Sequence, residues 1–228
     1  MTFAEKVINF NDELKFDGLL PKGFAVLNPY HDNPETLKVM REFYFKFYHD
    51  NIKRKFLIGI NPSRNGAGVT GVPFTDTKRL KDYCGITMET AKTHEISSVF
   101  MYDMINAYSN VVDFYHNFYI NSPFPLAIIR KNNLGNWVNA NYYDDPALYQ
   151  AVKPFMISSL KAHIGFGVDC NTVYILGKKN AIFLDKINSE TNLFNKTVVL
   201  EHPRFIQQYK SKERLNYIMK YINLLNNH

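Results

Sequence analysis

The feature that most constrains the fold is a short apolar run that stops abruptly at an Asn-Pro pair. The run "KFLIGI" occupies positions 55–60 and leads directly into Asn61, Pro62 and a glycine-rich stretch. A short apolar run bounded by turn residues is typical of a strand buried on both faces of a sheet. Three further strands are predicted in "FYHNFYIN" (114–121), "TVYILG" (172–177) and "KTVVLEHP" (196–203).

Helical patterns alternate with these strands. Helices are predicted in "NPETLKVMREFYFKFYHDN" (33–51), "DPALYQAVKPFMISSLKAHIG" (145–165), the segment that begins at Lys178, and "SKERLNYIMKYINLL" (211–225). In the second of these helices, Pro154 predicts a kink and Gly165 predicts the end. The last helix carries an apolar stripe at helical spacing, formed by Leu215, Ile218, Met219, Ile222 and Leu225.

Two strand ends are suited to a functional site. Strands that alternate with helices predict an α/β sandwich around a mostly parallel sheet. In such sheets, ligands bind beyond the carboxyl ends of the strands. Asn61 and Pro62 follow the first predicted strand, and His202 and Pro203 end the last one. These two ends are therefore the predicted location of a ligand site.

Length and composition bound the class of protein. The chain has 228 residues, of which 46% are hydrophobic and 21% are charged, which predicts one globular domain spanning residues 1–228. No apolar stretch approaches the roughly 18 residues of a membrane-spanning helix, so we expect a soluble, cytoplasmic protein without a membrane partner. The net charge of +6 is compatible with binding to a polyanion.

Cysteine usage argues against several kinds of metal or disulfide site. Cys84 and Cys170 are far apart in the chain and have no metal-ligand spacing. This pattern does not fit a disulfide framework, a zinc ribbon or an iron–sulfur cluster. We therefore predict no metal ion and no other cofactor.

The segment 66–71 matches the dinucleotide-binding pattern GxGxxG. That pattern should begin at a strand end, open a helix, and precede an acidic residue about 20 positions further on. Here Gly66 lies well past Ile60, and Val72-Pro73-Phe74 does not open a helix cleanly. The match is weak, and the glycines are better interpreted as a mobile loop whose backbone approaches a ligand closely.

Several motifs together resemble those of the uracil-DNA glycosylase superfamily. Segments 59–62 (GINP) and 70–74 (TGVPF) resemble its first motif, His202-Pro203 resembles its second, and "FYINSPFPL" (118–126) resembles its aromatic strand ending in Pro-Leu. The chain looks most like the single-strand-selective monofunctional uracil-DNA glycosylase branch. The resemblance implies a three-layer α/β/α sandwich around a four-stranded parallel sheet, in agreement with the periodicity.

The resemblance also implies roles for individual residues. His202 would stabilise the negative charge that develops at a carbonyl oxygen of the leaving base. Asn61 would orient the attacking water, because an amide is too weak a base to activate it strongly. Phe74 would stack on the flipped base. The rest of the base pocket would be formed by Gly59, Ile60, Pro62 and Ser63. The seven histidines alone would favour a structural interpretation of His202, and Asn61-Pro62 is also a common turn starter.

The base-reading position departs from the family pattern. The family places an asparagine three residues before the proline of Pro-Leu, and counting back from Pro125 gives Ser122 instead of Asn121. Adjacent strand residues face opposite sides, so only one of the two is expected to enter the pocket. The spacing favours Ser122, and a register slip would substitute Asn121. A rotating serine hydroxyl predicts weaker discrimination, so that xanthine or hypoxanthine is also admitted.

Basic residues near the second motif are candidates for DNA binding. The family continues with Ser-Pro-Arg and a longer loop that wedges into the duplex, whereas this chain has "RFIQQYKSKERL" after Pro203. A shorter wedge predicts a preference for single strands. The candidate DNA-binding residues are Arg204, Phe205, Lys210, Lys212, Arg214, Lys178 and Lys179. For any single lysine, a solvated helix face is an equally good interpretation.

The leading hypothesis is a monomeric DNA glycosylase that hydrolyses the N-glycosidic bond of uracil in DNA. It is expected to be monofunctional and to initiate base excision repair. The altered second motif and Ser122 leave open a catalytically weak or inactive nucleic-acid-binding protein of the same fold. An oxidoreductase that uses the GxGxxG loop is the third alternative.

Overall fold

The computed structural model describes residues 1–227. Its elements, in chain order, are α1 (Phe3–Glu13), β1 (Phe24–Leu27), α2 (Pro29–Asp32), α3 (Pro34–Phe47), β2 (Arg54–Ile58), α4 (Ala67–Thr70), α5 (Thr77–Cys84), α6 (Ile96–Tyr108), α7 (Val111–Asn117), β3 (Phe118–Asn121), β4 (Ala127–Lys131), β5 (Trp137–Ala140), α8 (Pro146–Phe166), β6 (Val168–Leu176), α9 (Lys178–Thr191), β7 (Lys196–Leu200), α10 (Pro203–Tyr209), a 3₁₀ turn (Ser211–Glu213) and α11 (Arg214–Asn226).

The central sheet has the strand order β3-β2-β6-β7, and each neighbouring pair is parallel. In this register Leu57 lies opposite Ile120 on one side and Tyr174 on the other. All four strands therefore end at the same edge, which we call the carboxyl edge. The predicted α/β class with a four-stranded parallel sheet is confirmed.

Helices cover both faces of this sheet. On one face, the Phe56 and Tyr119 rings stack on each other and contact His163 of α8. On the opposite face, the Tyr174 hydroxyl donates a hydrogen bond to the Leu224 carbonyl oxygen of α11. Adjacent strand residues point to opposite faces, so the near-continuous apolar strands fill two hydrophobic interfaces. The result is the three-layer α/β/α sandwich that the sequence predicted.

A second, smaller sheet was not predicted. Strands β1, β4 and β5 form an antiparallel sheet in the order β1-β4-β5. In β4 the first three residues are buried and the last two are exposed, so the inner half packs against the body and the outer half projects into solvent. The inner end of β5 is Ala140, opposite Ile128, and this end reaches the candidate site described below.

The predicted strand at 114–121 is half helix. Asn110 caps helix α7 by accepting a hydrogen bond from the backbone N–H of Asp113 at 2.9 Å, and the helix continues to Asn117 before β3 begins at Phe118. The aromatic residues favoured a strand by composition, but Phe114 packs as part of a buried helical face. An Asn N-cap is a local signal that outweighs β-propensity here.

The end of helix α8 also differs from the prediction. The helix continues through Gly165 and ends at Phe166, with Gly167 as the C-cap. Gly167 has φ +109°, whereas Gly165 does not adopt a positive φ. A glycine ends a helix where the backbone turns left-handed, so the second glycine sets the boundary. Pro154 lies inside the helix, as predicted.

The predicted apolar stripe of α11 is only partly buried. Leu215 and Met219 are 71% and 55% exposed, whereas Ile218, Tyr221 and Leu225 are buried. Tyr221 sets the orientation of the helix because its ring packs edge-on against Phe100 of α6. The buried face is therefore rotated away from the predicted stripe.

Candidate active site

A pocket lies at the carboxyl edge of the central sheet, where β2, β3 and β7 end. Its wall is formed by Gly59, Ile60, Asn61, Pro62, Ser63, Ala67, Pro73, Phe74, Glu95, Ser97, Asn121, Ser122 and His202. The two strand ends predicted from the sequence therefore contribute to a single pocket, as expected for a parallel sheet. Every residue predicted to be catalytic or base-binding is part of this wall.

Asn61 is held in place by the backbone of the second sheet. Its side-chain Nδ2 donates to the Ala140 carbonyl oxygen at 3.0 Å and to the Pro62 carbonyl oxygen at 3.2 Å, and Oδ1 accepts from the Tyr142 N–H at 3.1 Å. These partners fix which end of the amide is oxygen, because carbonyl groups only accept and an N–H only donates. Oδ1 retains a second lone pair that can accept a hydrogen bond from water.

A buried asparagine, Asn180, stabilises the position of Asn61 indirectly, through Tyr142. Asn180 is fully buried, and its Nδ2 donates to the carbonyl oxygens of Ile58, Gly59 and Leu176 at 3.0–3.2 Å. Its Oδ1 accepts from the Tyr142 hydroxyl at 2.6 Å. Asn180 therefore connects the ends of β2 and β6 to the residue that holds Asn61. No local sequence motif marks this link.

His202 presents one defined imidazole nitrogen to the pocket. It is the N-cap of α10, and its Nδ1 accepts a hydrogen bond from the backbone N–H of Arg204 at 3.2 Å. Burial, followed by the neighbouring Arg204 charge, lowers the pKa of His202 to about 4. At neutral pH the imidazole is uncharged, and because Nδ1 accepts, its proton is on Nε2. His202 is thus a neutral donor at the pocket wall.

Phe74 lies between Gly59 and His202. Its ring centroid is 5.7 Å from that of His202, and a Cβ atom at position 59 would lie 3.0 Å from the Phe74 Cε2 atom. Glycine at 59 therefore lets the aromatic ring approach the end of β2. Phe74 itself has φ +54°, a left-handed conformation that a bulky residue rarely adopts.

The buried hydroxyl of Thr70 stabilises the turn formed by the TGVPF segment (70–74). This hydroxyl donates to the Thr75 carbonyl oxygen at 2.6 Å and accepts from the Val72 N–H at 3.2 Å. Gly71 has φ +70°, and a Cβ there would lie 2.7 Å from Tyr30 Cε1, so the turn needs glycine for both conformation and space. These constraints hold Phe74 in its strained position.

Asn121 and Ser122 both line the pocket, contrary to the expectation that only one would do so. Strand β3 ends at Asn121, and the alternation of faces no longer applies to the next residue. The Ser122 hydroxyl donates to the Phe124 carbonyl oxygen at 3.0 Å, so its proton is engaged by the backbone. Asn121 is engaged with Tyr119, to which its Nδ2 donates at 2.7 Å.

Glu95 also lines the pocket, although no sequence motif indicated it as a site residue. Its Oε1 accepts from the Ser63 hydroxyl at 2.8 Å, and a Cβ at Gly66 would lie 2.0 Å from its Oε2. Burial raises the pKa of the Glu95 carboxyl above its usual range, against the lowering effect of the Ser63 hydrogen bond. The glycine-rich segment, predicted as a mobile loop, contains the one-turn helix α4 and rests on this carboxyl.

Two surface grooves extend from the pocket along α10. The first has Arg204, Phe205 and Tyr209 in its wall, and the second has Phe205, Lys178, Lys179 and Lys210. Phe205 and Tyr209 are 43% and 68% exposed, and their ring centroids are 5.7 Å apart. Exposed aromatic rings flanked by cations are the combination that binds single-stranded nucleic acid.

Two predicted DNA-binding residues lie elsewhere. Lys212 is in the 3₁₀ turn and lines neither groove. Arg214 forms an ion pair with Asp103 at 3.0 Å, which places its charge against α6. The proximity of these residues to His202 in sequence suggested a common surface, but the turn after α10 changes the chain direction.

Comparison with protein families identifies this arrangement. The family model described as the uracil DNA glycosylase superfamily matches residues 45–226. The chain belongs to the uracil-DNA glycosylase superfamily. This glycosylase fold brings the GINP and TGVPF segments and His202 together in the pocket, so the resemblance drawn from those motifs is confirmed.

A solved structure supports the same assignment over the whole chain. The glycosylase is similar to the crystal structure of wild-type SMUG2 from Pedobacter heparinus, with 45% sequence identity, a TM-score of 0.96, and 100% of each chain covered. A comparison with curated protein sequences gave no significant match. The chain is thus a DNA glycosylase of the single-strand-selective monofunctional branch, its partner is DNA, and its activity belongs to base excision repair. No helix within residues 1–227 is long and apolar enough to cross a membrane.

Proposed function

We propose that the protein releases uracil, and also the deaminated purines xanthine and hypoxanthine, from DNA by hydrolysis of the N-glycosidic bond. The observation that carries the proposal is the convergence of Asn61, Phe74 and His202 on one pocket, with His202 held as a neutral Nε2–H donor. A base inside a duplex must leave the stack to enter such a pocket. There it would stack on the Phe74 ring.

The reaction follows from these positions. Cleavage breaks the bond between the sugar carbon C1′ and the base nitrogen, and the electron pair remains on the leaving base as an anion. His202 Nε2–H stabilises the charge on a carbonyl oxygen of that anion, a contribution of roughly 3–4 kcal/mol for one good donor. Water held by Asn61 Oδ1 adds its oxygen to C1′ and gives up a proton, which leaves an abasic sugar and a neutral base after protonation.

The grooves along α10 favour a flexible strand as the substrate. Phe205 and Tyr209 offer stacking surfaces, while Arg204, Lys178 and Lys179 would face the backbone phosphates. Lys210 lines the same groove and would exchange its ion pair with Glu213, at 2.9 Å, for a phosphate contact. Helix α10 starts at Pro203, directly after His202, and leaves no long loop to wedge into a duplex. Single-stranded DNA is therefore the proposed preferred substrate, and we propose that the protein acts as a monomeric single domain in the cytoplasm.

The test uses oligonucleotides with one uracil, xanthine, hypoxanthine or cytosine, each in single-stranded and duplex form. After incubation with the protein, alkali cleaves every abasic site, and the broken fraction measures base release. We expect breaks at the three deaminated bases and none at cytosine, with faster release from single strands. Binding without base release from any substrate would instead favour an inactive nucleic-acid-binding protein.

A further inference from the structure

A closed circuit of hydrogen bonds lies beneath the base pocket. Asn121 Nδ2 donates to the Tyr119 hydroxyl at 2.7 Å, and that hydroxyl lies 3.2 Å from His163 Nδ1. His163 Nε2 lies 3.3 Å from the Ser122 carbonyl oxygen, and the Ser122 N–H donates to Asn121 Oδ1 at 2.8 Å. Tyr119 and His163 are fully buried, and Asn121 is 4% exposed. The circuit thus begins and ends on Asn121.

The direction of every bond in this circuit is determined. The Ser122 carbonyl oxygen can only accept a hydrogen bond, so His163 Nε2 carries the proton and Nδ1 is unprotonated. The Tyr119 hydroxyl must then donate to Nδ1, and its oxygen is left to accept from Asn121 Nδ2. Burial lowers the pKa of His163 to about 3, so the imidazole stays neutral and the direction does not reverse at neutral pH.

The circuit allows one orientation of the Asn121 amide. If the amide were rotated by half a turn, Nδ2 would face the Ser122 N–H, donor against donor. Oδ1 would face the Tyr119 oxygen, whose proton is already given to His163. Buried polar groups without partners are costly, so the rotated amide is disfavoured. In the allowed orientation, Asn121 retains one N–H and one oxygen lone pair for a ligand in the pocket.

We propose that Tyr119 and His163 determine base specificity by fixing the Asn121 amide in the orientation that reads deaminated bases. Uracil presents an N3–H donor beside the O4 acceptor, and xanthine and hypoxanthine present N1–H beside O6. The fixed amide matches this shared pattern. Cytosine presents the opposite pattern, with N3 as acceptor beside a donating amino group, and is rejected. The inference rests on the proposed function and assigns Tyr119 and His163 as positioning residues.

The test measures binding selectivity, which does not depend on catalysis. Oligonucleotides containing 2′-fluoro-2′-deoxyuridine or 2′-fluoro-2′-deoxycytidine resist cleavage, and the ratio of their dissociation constants gives the selectivity. We expect the wild type to prefer the uridine analogue and Tyr119→Phe to lose about tenfold or more of that preference. Tyr48→Phe is the matched control, since its buried hydroxyl donates to the Phe118 carbonyl oxygen outside the circuit.

A pair of His163 variants tests the direction of the circuit. His163→Gln retains one acceptor for Tyr119 and one donor for Ser122, so selectivity should persist, whereas His163→Leu should lose it. If His163→Leu does not fold, the binding selectivity of Tyr119→Phe still tests the inference. Full selectivity in folded Tyr119→Phe, or no selectivity in the wild type, would overturn the inference. Failure of the wild type to release uracil would instead contradict the proposed function, because the selectivity is measured without cleavage.

Discussion

The backbone N–H of Arg204 donates to Nδ1 of His202, so the proton of the neutral imidazole is on Nε2. Burial and the Arg204 charge lower the pKa of His202 to about 4. We therefore expect no loss of the single-turnover rate of uracil release through His202 between about pH 5 and 8. Arg204→Gln should raise the pKa of His202, because it removes a positive charge. NMR titration of the imidazole measures this shift, and an unchanged pKa would refute the electrostatic assignment.

His202→Ala and Asn61→Ala should each lower the single-turnover rate of uracil release by roughly two to three orders of magnitude, since each removes a pocket group that we propose acts on the reacting atoms. His49→Ala is the control, because His49 is exposed and absent from the pocket wall. Circular dichroism verifies that the variants are folded. Wild-type rates in both site variants would show that the chemistry occurs elsewhere.

The buried His163 and the half-buried His202 together predict acid sensitivity. Burial lowers the pKa of His163 to about 3 and that of His202 to about 4, from an ordinary value of 6.5. Below pH 6.5 the unfolded chain binds more protons than the folded one, so the free energy of unfolding should fall from pH 6.5 toward pH 4. Urea unfolding at several pH values across this range measures the free energy of unfolding. His163→Gln should make the fall shallower, and an identical slope in the variant would contradict the prediction.

Thr70→Val should destabilise the turn that carries Phe74. The substitution keeps the shape but removes a buried hydroxyl that pairs with the Thr75 carbonyl oxygen and the Val72 N–H. Leaving these groups unpaired should cost about 1–3 kcal/mol of the free energy of unfolding, measured by urea denaturation. The exposed Thr87→Val provides the control. A neutral effect at position 70 would mean that the turn is held by other contacts.

The grooves along α10 predict which lysines contact DNA. Lys178→Gln and Lys179→Gln should each weaken binding to single-stranded DNA and reduce the slope of log affinity against log salt by about one. Lys212→Gln serves as the comparison, because Lys212 is exposed but lies outside both grooves. Fluorescence anisotropy at several salt concentrations gives the slopes. An equal reduction at Lys212 would show that the charge effect is not confined to the grooves.

The parts of the site that were predictable are those with local signals. A short apolar run followed by Asn61-Pro62 marks a strand end, and the parallel sheet places this end beside His202 without further information. Glu95 has no comparable signal, since its contact with Ser63 depends on how α6 packs against the loop. The hydrogen bond from the Tyr142 N–H to Asn61 Oδ1 also could not be predicted from the sequence, because the two residues are 81 positions apart.

The predicted boundaries of helices and strands were wrong where a local sequence signal was outweighed by another. The aromatic residues of 114–121 favoured a strand, but the Asn110 cap started a helix through the first half. In α8, the sequence pattern indicated Gly165 as the end, but the left-handed backbone that ends the helix is at Gly167. Local propensities do not settle such cases, because the tertiary contacts that choose between them come from distant parts of the chain.

The hydrogen bonds that join Asn61 to the backbone of Ala140 and Tyr142 also have a consequence for the order of folding. These contacts close chain loops of 79 and 81 residues between the two sheets, and closing long loops costs entropy that must be recovered by later packing. The hydrogen-bonded arrangement of the Asn61 amide is therefore completed only when both sheets have docked. During refolding, enzymatic competence should emerge with the final tertiary step, after the helices have formed.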